Sequence, residues 1–143
     1  MDINMDNIFG LFTSNENLDE GDGIAFIDFK NTPVYWVGMY KKLILNHVNF
    51  NKKIIKFFKE ANEELDINEI KEAGEFVVYN RAWNYIKAID MDNKDHIDAI
   101  EKYCDEYLDT SLKLGISFFE QLEEYEKCAL LKHIFDKSQE FSK

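Results

Sequence analysis

The chain has 143 residues, 45% of them hydrophobic and 15% aromatic, with a formal net charge of −11. This is the composition of one ordinary folded domain, and it excludes wholesale disorder. No run approaches 18 apolar residues and no basic-then-apolar leader opens the chain, so neither a membrane span nor a secretory signal is expected.

Charge is segregated along the sequence. Residues 1–30 carry seven acids and one lysine, residues 31–59 carry six lysines and no acid, and residues 60–143 carry twenty-one acids against ten bases. The overall sign disfavours direct binding to nucleic acid, which needs a cationic surface. It favours a basic protein partner. Two cysteines, Cys104 and Cys128, make no disulfide framework, so a reducing, cytoplasmic setting is expected. Sixteen lysines to one arginine, with thirteen Asn and fifteen Ile, point to AT-rich codons, as in a low-GC bacterium or its phage.

Residues 1–31 read as an acidic N-terminal arm around a small apolar cluster, Ile8, Phe9, Leu11 and Phe12. Within it, residues 23–29 (Gly-Ile-Ala-Phe-Ile-Asp-Phe) are β-compatible, either as an isolated strand or as an extended arm laid across the core. From Thr32 the pattern turns helical. Thr32 suits an N-cap and Pro33 the first helical position, where the missing N–H costs nothing. Val34, Val37, Tyr40, Ile44 and Val48 then recur at helical spacing. A second helix is expected over about 51–64, with Ile54, Ile55, Phe57 and Phe58 inward and lysines outward. A third, capped by Asp66, runs to about Ile89 with a stripe of Ile70, Ala73, Val77, Arg81, Tyr85 and Ala88, and with Phe76, Tyr79, Ala82, Trp83 and Ile86 close by. Asp95 is expected to cap a fourth, to about Leu108, with the stripe Ile97, Ile100, Cys104, Tyr107 and Leu108. Thr110 or Ser111 is expected to cap a fifth, and a sixth begins near Glu124. One Pro and six Gly fit helices better than many tight turns. The expectation is an all-α, compact bundle of five to six helices over 32–143, with an extended or partly β N-terminal arm.

No residue constellation argues for catalysis. Asp90, Asp92 and Glu101 fall at calcium-loop positions one, three and twelve, but Lys94 occupies a ligand position and Asp95 replaces the turn glycine, so the segment reads as an interhelical loop. His47, His96 and His133 lack partners at metal spacing. Cys104 and Cys128 lie on apolar faces without an adjacent cation and read as inert core thiols. Adjacent acids such as Glu63 and Glu64 point to different sides of a helix and make no acid–base pair. The lysines between Lys41 and Lys59 read as the solvated face of a packed helix rather than a membrane or nucleic-acid surface. Accordingly no catalytic residue, metal site or cofactor is expected.

Residues 124–134, Glu-Tyr-Glu-Lys-Cys-Ala-Leu-Leu-Lys-His-Ile, resemble the second half of a UVR motif, the helical hairpin named after bacterial excision-repair proteins. Tyr125, Glu126, Ala129 and Leu131 match, Cys128 stands for the first Ala and Lys132 for the Arg. His133 departs from the family's Asp, and Phe135 takes the place of its Ile. The resemblance implies a protein–protein contact surface.

Together these features describe a non-enzymatic acidic module that binds a basic protein surface, such as a small inhibitor or adaptor of the immunity or anti-defence type. The acids expected to meet the partner are Glu63, Glu64, Glu69, Glu72, Asp92, Asp98, Asp105 and Asp109. The alternative is a structural or assembly subunit of a phage or bacterial complex, in which the aromatic arm packs on a neighbour and the chain forms homo-oligomers.

Overall fold

A computed structural model describes residues 29–61 and 67–142. The expected arm and its β-compatible segment lie outside the described residues, apart from the last few before Thr32. Among the described residues the fold is a bundle of five helices without a strand: α1 (Pro33–Ala61), α2 (Ile67–Ile86), α3 (Lys94–Tyr103), α4 (Glu106–Gln121) and α5 (Tyr125–Phe141). None is long and apolar enough to cross a membrane.

Thr32 caps α1 as its sequence suggests, accepting from the Tyr35 N–H at 3.4 Å. The helix then runs for 29 residues, where two helices had been expected. The Asn-rich stretch from Asn46 to Asn51 contains no Pro or Gly. Its polar side chains bond along the helix instead of breaking it, with Asn51 Nδ2 3.1 Å from His47 Nε2. The other boundaries move for capping reasons. Asn93, not Asp95, caps α3, its side chain accepting from the Asp95 N–H. The expected fourth helix ends at Tyr103, and Asp105 starts α4 by accepting from the Leu108 N–H at 2.8 Å. Thr110 and Ser111 lie inside α4 and donate back to the carbonyls of Glu106 and Leu108. At its C-terminus Glu123 takes the left-handed conformation, φ 59°, and Glu124 N–H reaches back to the Phe119 carbonyl at 2.9 Å, a Schellman-type ending.

α1 is the central element. Its first half packs on α2, α3 and α4, while α5 lies against α4 and α3. The α1/α2 pair is antiparallel, with Tyr35 beside Tyr85 and His47 beside Tyr79. So is α4/α5, where Asp109 meets Ser138 and the Cys128 thiol donates to the Ile116 carbonyl. The core comprises Val37, Tyr40 and Ile44 from α1, Tyr79, Ala82 and Ile86 from α2, Ala99 and Ile100 from α3, Leu108, Leu112 and Phe119 from α4, and Leu131 and Ile134 from α5, with Ile89 from the α2–α3 connection.

Tyr40 ties the centre together. Its ring is fully buried, and its hydroxyl donates to the Ser111 carbonyl at 2.8 Å. Burial pushes that phenol well above its ordinary pKa, with the Tyr79 phenol adding to the effect. Gly115 makes room for it: a Cβ there would run into the Tyr40 hydroxyl and approach Leu131 Cδ1 at 3.1 Å. Tyr79 stacks on Phe118 with ring centroids 4.5 Å apart, and Trp83 meets Phe119 edge-on, so the second half of α2 is seated on α4.

The expected stripe of α2 is corrected by this packing. The helix buries Tyr79, Ala82 and Ile86, and leaves Ile70, Ala73, Val77 and Arg81 exposed; it ends at Ile86, so Ala88 lies past it and is exposed too. Phe57, expected inward on α1, is also exposed, as is Tyr107 at the start of α4. Only the second half of α2 has a body to pack against, and that body selects the face turned in.

Candidate functional site

The first half of α2 and the last half of α1 extend beyond the core. No described residue between Val48 and Val78 is buried, although the stretch is rich in apolar side chains. The fourteen residues of α1 after His47 alone carry it about 20 Å past its last buried side chain.

Two surfaces result. On the outer side of α2, Glu69, Glu72 and Phe76 follow helical spacing i, i+3 and i+7 and share one face. All three are exposed, and Phe76, at 59%, is the most exposed phenylalanine among the described residues. The Asn80 amide donates to the Phe76 carbonyl at 2.7 Å and tightens the backbone beneath the ring. An aromatic ring beside two carboxylates is an arrangement that can enter an apolar pocket on a cationic surface.

The second surface is a groove between the helices, of about 590 Å³, lined by side chains that include Phe50, Ile54 and Phe58 of α1 and Ile70, Ala73 and Val77 of α2. Gly74 and His47 meet at its base, where a Cβ on Gly74 would come within 3.1 Å of His47 Cε1. His47 is buried and lies edge-on to Tyr79. Its pKa is lowered, first by burial, with Lys71 adding to the depression and Glu75 opposing it. The Tyr79 phenol is pushed up to about 12 by burial and by the nearby Glu75.

The candidate acids divide into three groups. Glu63 and Glu64 lie outside the described residues. Glu69, Glu72, Asp92 and Asp98 are exposed, the first two on α2 and the others around the start of α3. Asp105 and Asp109 are engaged within the fold. Asp105 caps α4 and meets Lys41 Nζ at 2.7 Å. Partial burial pushes its carboxyl pKa up, but the Lys41 ammonium and the Leu108 and Tyr107 N–H groups outweigh this and hold it below the ordinary value. Asp109 accepts from Ser138 Oγ at 2.8 Å and from Gln139 Nε2 at 2.6 Å, clamping α5 to α4. The acids at the start of α3 thus stand apart in the fold from Glu69 and Glu72, and the face that unites carboxylates with an aromatic is on α2. Phe76 was not singled out in the sequence, although its spacing from Glu69 and Glu72 is a readable signal.

Other chemistry is thinly represented. Among the described residues no group of three or more His, Cys, Asp or Glu could hold a metal ion. In the segment that superficially resembles a calcium loop, Asp90 Oδ1 accepts from the Asp92 N–H, and the Asp90 N–H donates to His96 Nδ1 at 2.7 Å, closing a turn. Burial, with the nearby carboxylates of Glu120 and Glu124, raises the Cys128 thiol pKa, the opposite of an activated nucleophile.

No protein-family model, curated protein or solved structure matches the chain.

Proposed function

We propose that the protein is a binding module that docks the outer face of α2 onto a basic protein surface, in the manner of a small inhibitor or adaptor. The observation that carries this reading is the exposure of Phe76 on the same helix face as Glu69 and Glu72. Leaving a large ring in water forfeits roughly 2 kcal/mol that burial would return, and a partner pocket supplies that burial. The flanking carboxylates, on a chain of net charge −11, steer a cationic surface toward the ring. Two of the other candidate acids, Asp105 and Asp109, are set apart from this face because they hold helices together.

The test compares the unaltered protein with Phe76→Ser and with Glu69→Lys/Glu72→Lys. Each is used to capture partners from host lysate at low and high salt, and the affinity for the captured protein is then measured. The expected result is one basic protein, retained at low salt and shed at high salt, whose binding falls at least tenfold with Phe76→Ser. The charge reversal should chiefly slow association and flatten the salt dependence. Equal affinity in all three proteins would sink the reading. Recovery of this chain alone, in a salt-insensitive assembly, would favour an assembly subunit.

A further inference from the structure

The outer face of α2 continues past Phe76 onto a second helix. Tyr79, one turn further along, stacks on Phe118 of α4 with ring centroids 4.5 Å apart, and Trp83 meets Phe119 edge-on. The last turn of α4 is thereby seated against α2. Leu122 follows Phe118 by four residues and Phe119 by three, so it shares the side of α4 that holds α2. Phe119 is fully buried by this packing, whereas Leu122 at the end of the helix keeps 45% of its surface exposed. Phe76 and Leu122 each stand about one turn, roughly 5 Å, from the Tyr79–Phe118 stack, one on either helix. They are two exposed apolar side chains beside one contact.

Charge selects the kind of partner that covers them. From Leu114 to Glu126 the chain has four carboxylates and no Lys, Arg or His. Glu120, Glu123 and Glu126 are exposed. The next cation, Lys127, is engaged within the fold. Its ammonium lies 3.3 Å from Glu124, and 5.6 Å and 4.9 Å from the ring centres of Trp83 and Phe119. On α2, Glu72 precedes Phe76 by one turn, and no base occurs between Glu72 and Asn80. Both apolar side chains therefore stand in acidic surroundings. We infer that Phe76 and Leu122 are paired anchors of one docking surface, which takes a cationic segment of a partner protein that carries apolar side chains. Burial of the two anchors supplies affinity, and the carboxylates on both helices supply attraction and register. The inference rests on the reading of the α2 outer face as a docking surface. It adds the end of α4 to that surface, with Leu122 as second anchor and Glu123 as the charge beside it.

Titration calorimetry of the full chain with two synthetic peptides tests this. One peptide is amphipathic, built of lysines and leucines; the other has the same charge but serines in place of the leucines. The expected result is one lysine–leucine peptide bound per chain. Phe76→Ser and Leu122→Ser should each lower its affinity by roughly threefold or more, and leave binding of the lysine–serine peptide unchanged. Glu123→Lys keeps both apolar side chains in place and should weaken both peptides, more at low salt than at high salt. All three positions are exposed, so circular dichroism and the thermal midpoint should match those of the unaltered chain. A loss with Phe76→Ser but none with Leu122→Ser or Glu123→Lys would overturn the inference and leave the reading of α2 standing. A loss with Leu122→Ser alone, or two peptides per chain of which each substitution removes one, would overturn the shared surface. No loss with either serine substitution, or equal affinity for the two peptides, would overturn both the inference and the reading of α2.

Discussion

Between Val37 and His47, α1 buries four side chains, and between Phe50 and Ala61 the same helix buries none. Composition does not separate the two halves: both carry aromatic and aliphatic residues at helical spacing. The number of neighbours does. The first half is enclosed by α2, α3 and α4, whereas the second has the first half of α2 along it and residues of α4 near only its start, at Lys52 and Ile55. Two helices in contact leave an apolar flank on either side of their seam, and a third element must cover it. An amphipathic pattern therefore states that a face is suited to burial, but not which element buries it. The same division runs through the polar groups. In the body, carboxylates bridge helices, as Asp105 does to α1 and Asp109 to α5, while Glu69 and Glu72 on the outer face of α2 are exposed.

The contrast is sharpest at the two glycines that face side chains across a helix interface. Gly115 → Ala should be the most damaging single change considered. Its Cβ would occupy the space of the Tyr40 hydroxyl, and that ring is enclosed on all sides. Either the ring shifts and loses its bond to the Ser111 carbonyl, or α4 moves off α1. We expect a loss of about 3 kcal/mol, read as a lower denaturation midpoint at unchanged m-value. Removing the hydroxyl relieves the worst contact, so Gly115→Ala/Tyr40→Phe should be clearly less destabilised than the sum of the two single changes. Strict additivity would break this account. At Gly74 the added Cβ would meet only the edge of the His47 ring, on the seam of a pair with open space beside it, and the same substitution there should cost far less.

Asp109 sharpens the comparison at intermediate size. Asp109→Ala removes the acceptor for both Ser138 and Gln139 and leaves the buried Ser138 hydroxyl without its partner. A cost of about 1–2 kcal/mol is expected in global stability. Affinity for the captured partner should stay the same, in contrast to Glu69→Lys/Glu72→Lys. If Asp109→Ala weakened binding as much as that charge reversal, the distinction between structural and surface acids would fail.

The bundle itself was largely legible in the sequence, because Val37, Tyr40 and Ile44 repeat at spacing that only a helix puts on one face. Thr32 and Pro33 likewise mark the start of α1. What was not legible follows from competition between equivalent residues. Asp95 and Asn93 are both good caps, and the winner is decided by which backbone N–H each can reach. Ile70, Ala73 and Val77 make as good a stripe as Tyr79, Ala82 and Ile86, and the choice is made by Phe118 and Phe119 on α4, about forty residues away. For the candidate site, sequence placed acids on α2 but could not separate Glu72, which faces water, from Asp109, which faces Ser138. That separation is a property of tertiary packing, and no local spacing encodes it.

His47 sits at the boundary between the two regions and gives the smallest and most local expected effect. Burial lowers its pKa below 6.5, so between pH 6.5 and that lowered value the opened chain binds more protons than the folded one. Stability contributed by neutral His47 is thus complete above pH 6.5, declines as pH falls through the folded pKa, and levels off below it. Glu75 partly offsets the effect and Lys71 adds to it, which keeps it modest. Because His47 packs against Gly74 and Tyr79, protonation favours opening of the α1/α2 seam before the body. Amide hydrogen exchange, corrected for its intrinsic pH dependence, should show residues 50–61 and 68–78 losing a few-fold in protection between pH 7 and 5, while α4 and α5 change little. His47→Gln should abolish that difference by removing the titrating group. A uniform loss of protection across both regions would mean that the extended end of the pair opens only with the whole bundle, and the division between covered and uncovered halves of α1 would then be one of exposure but not of stability.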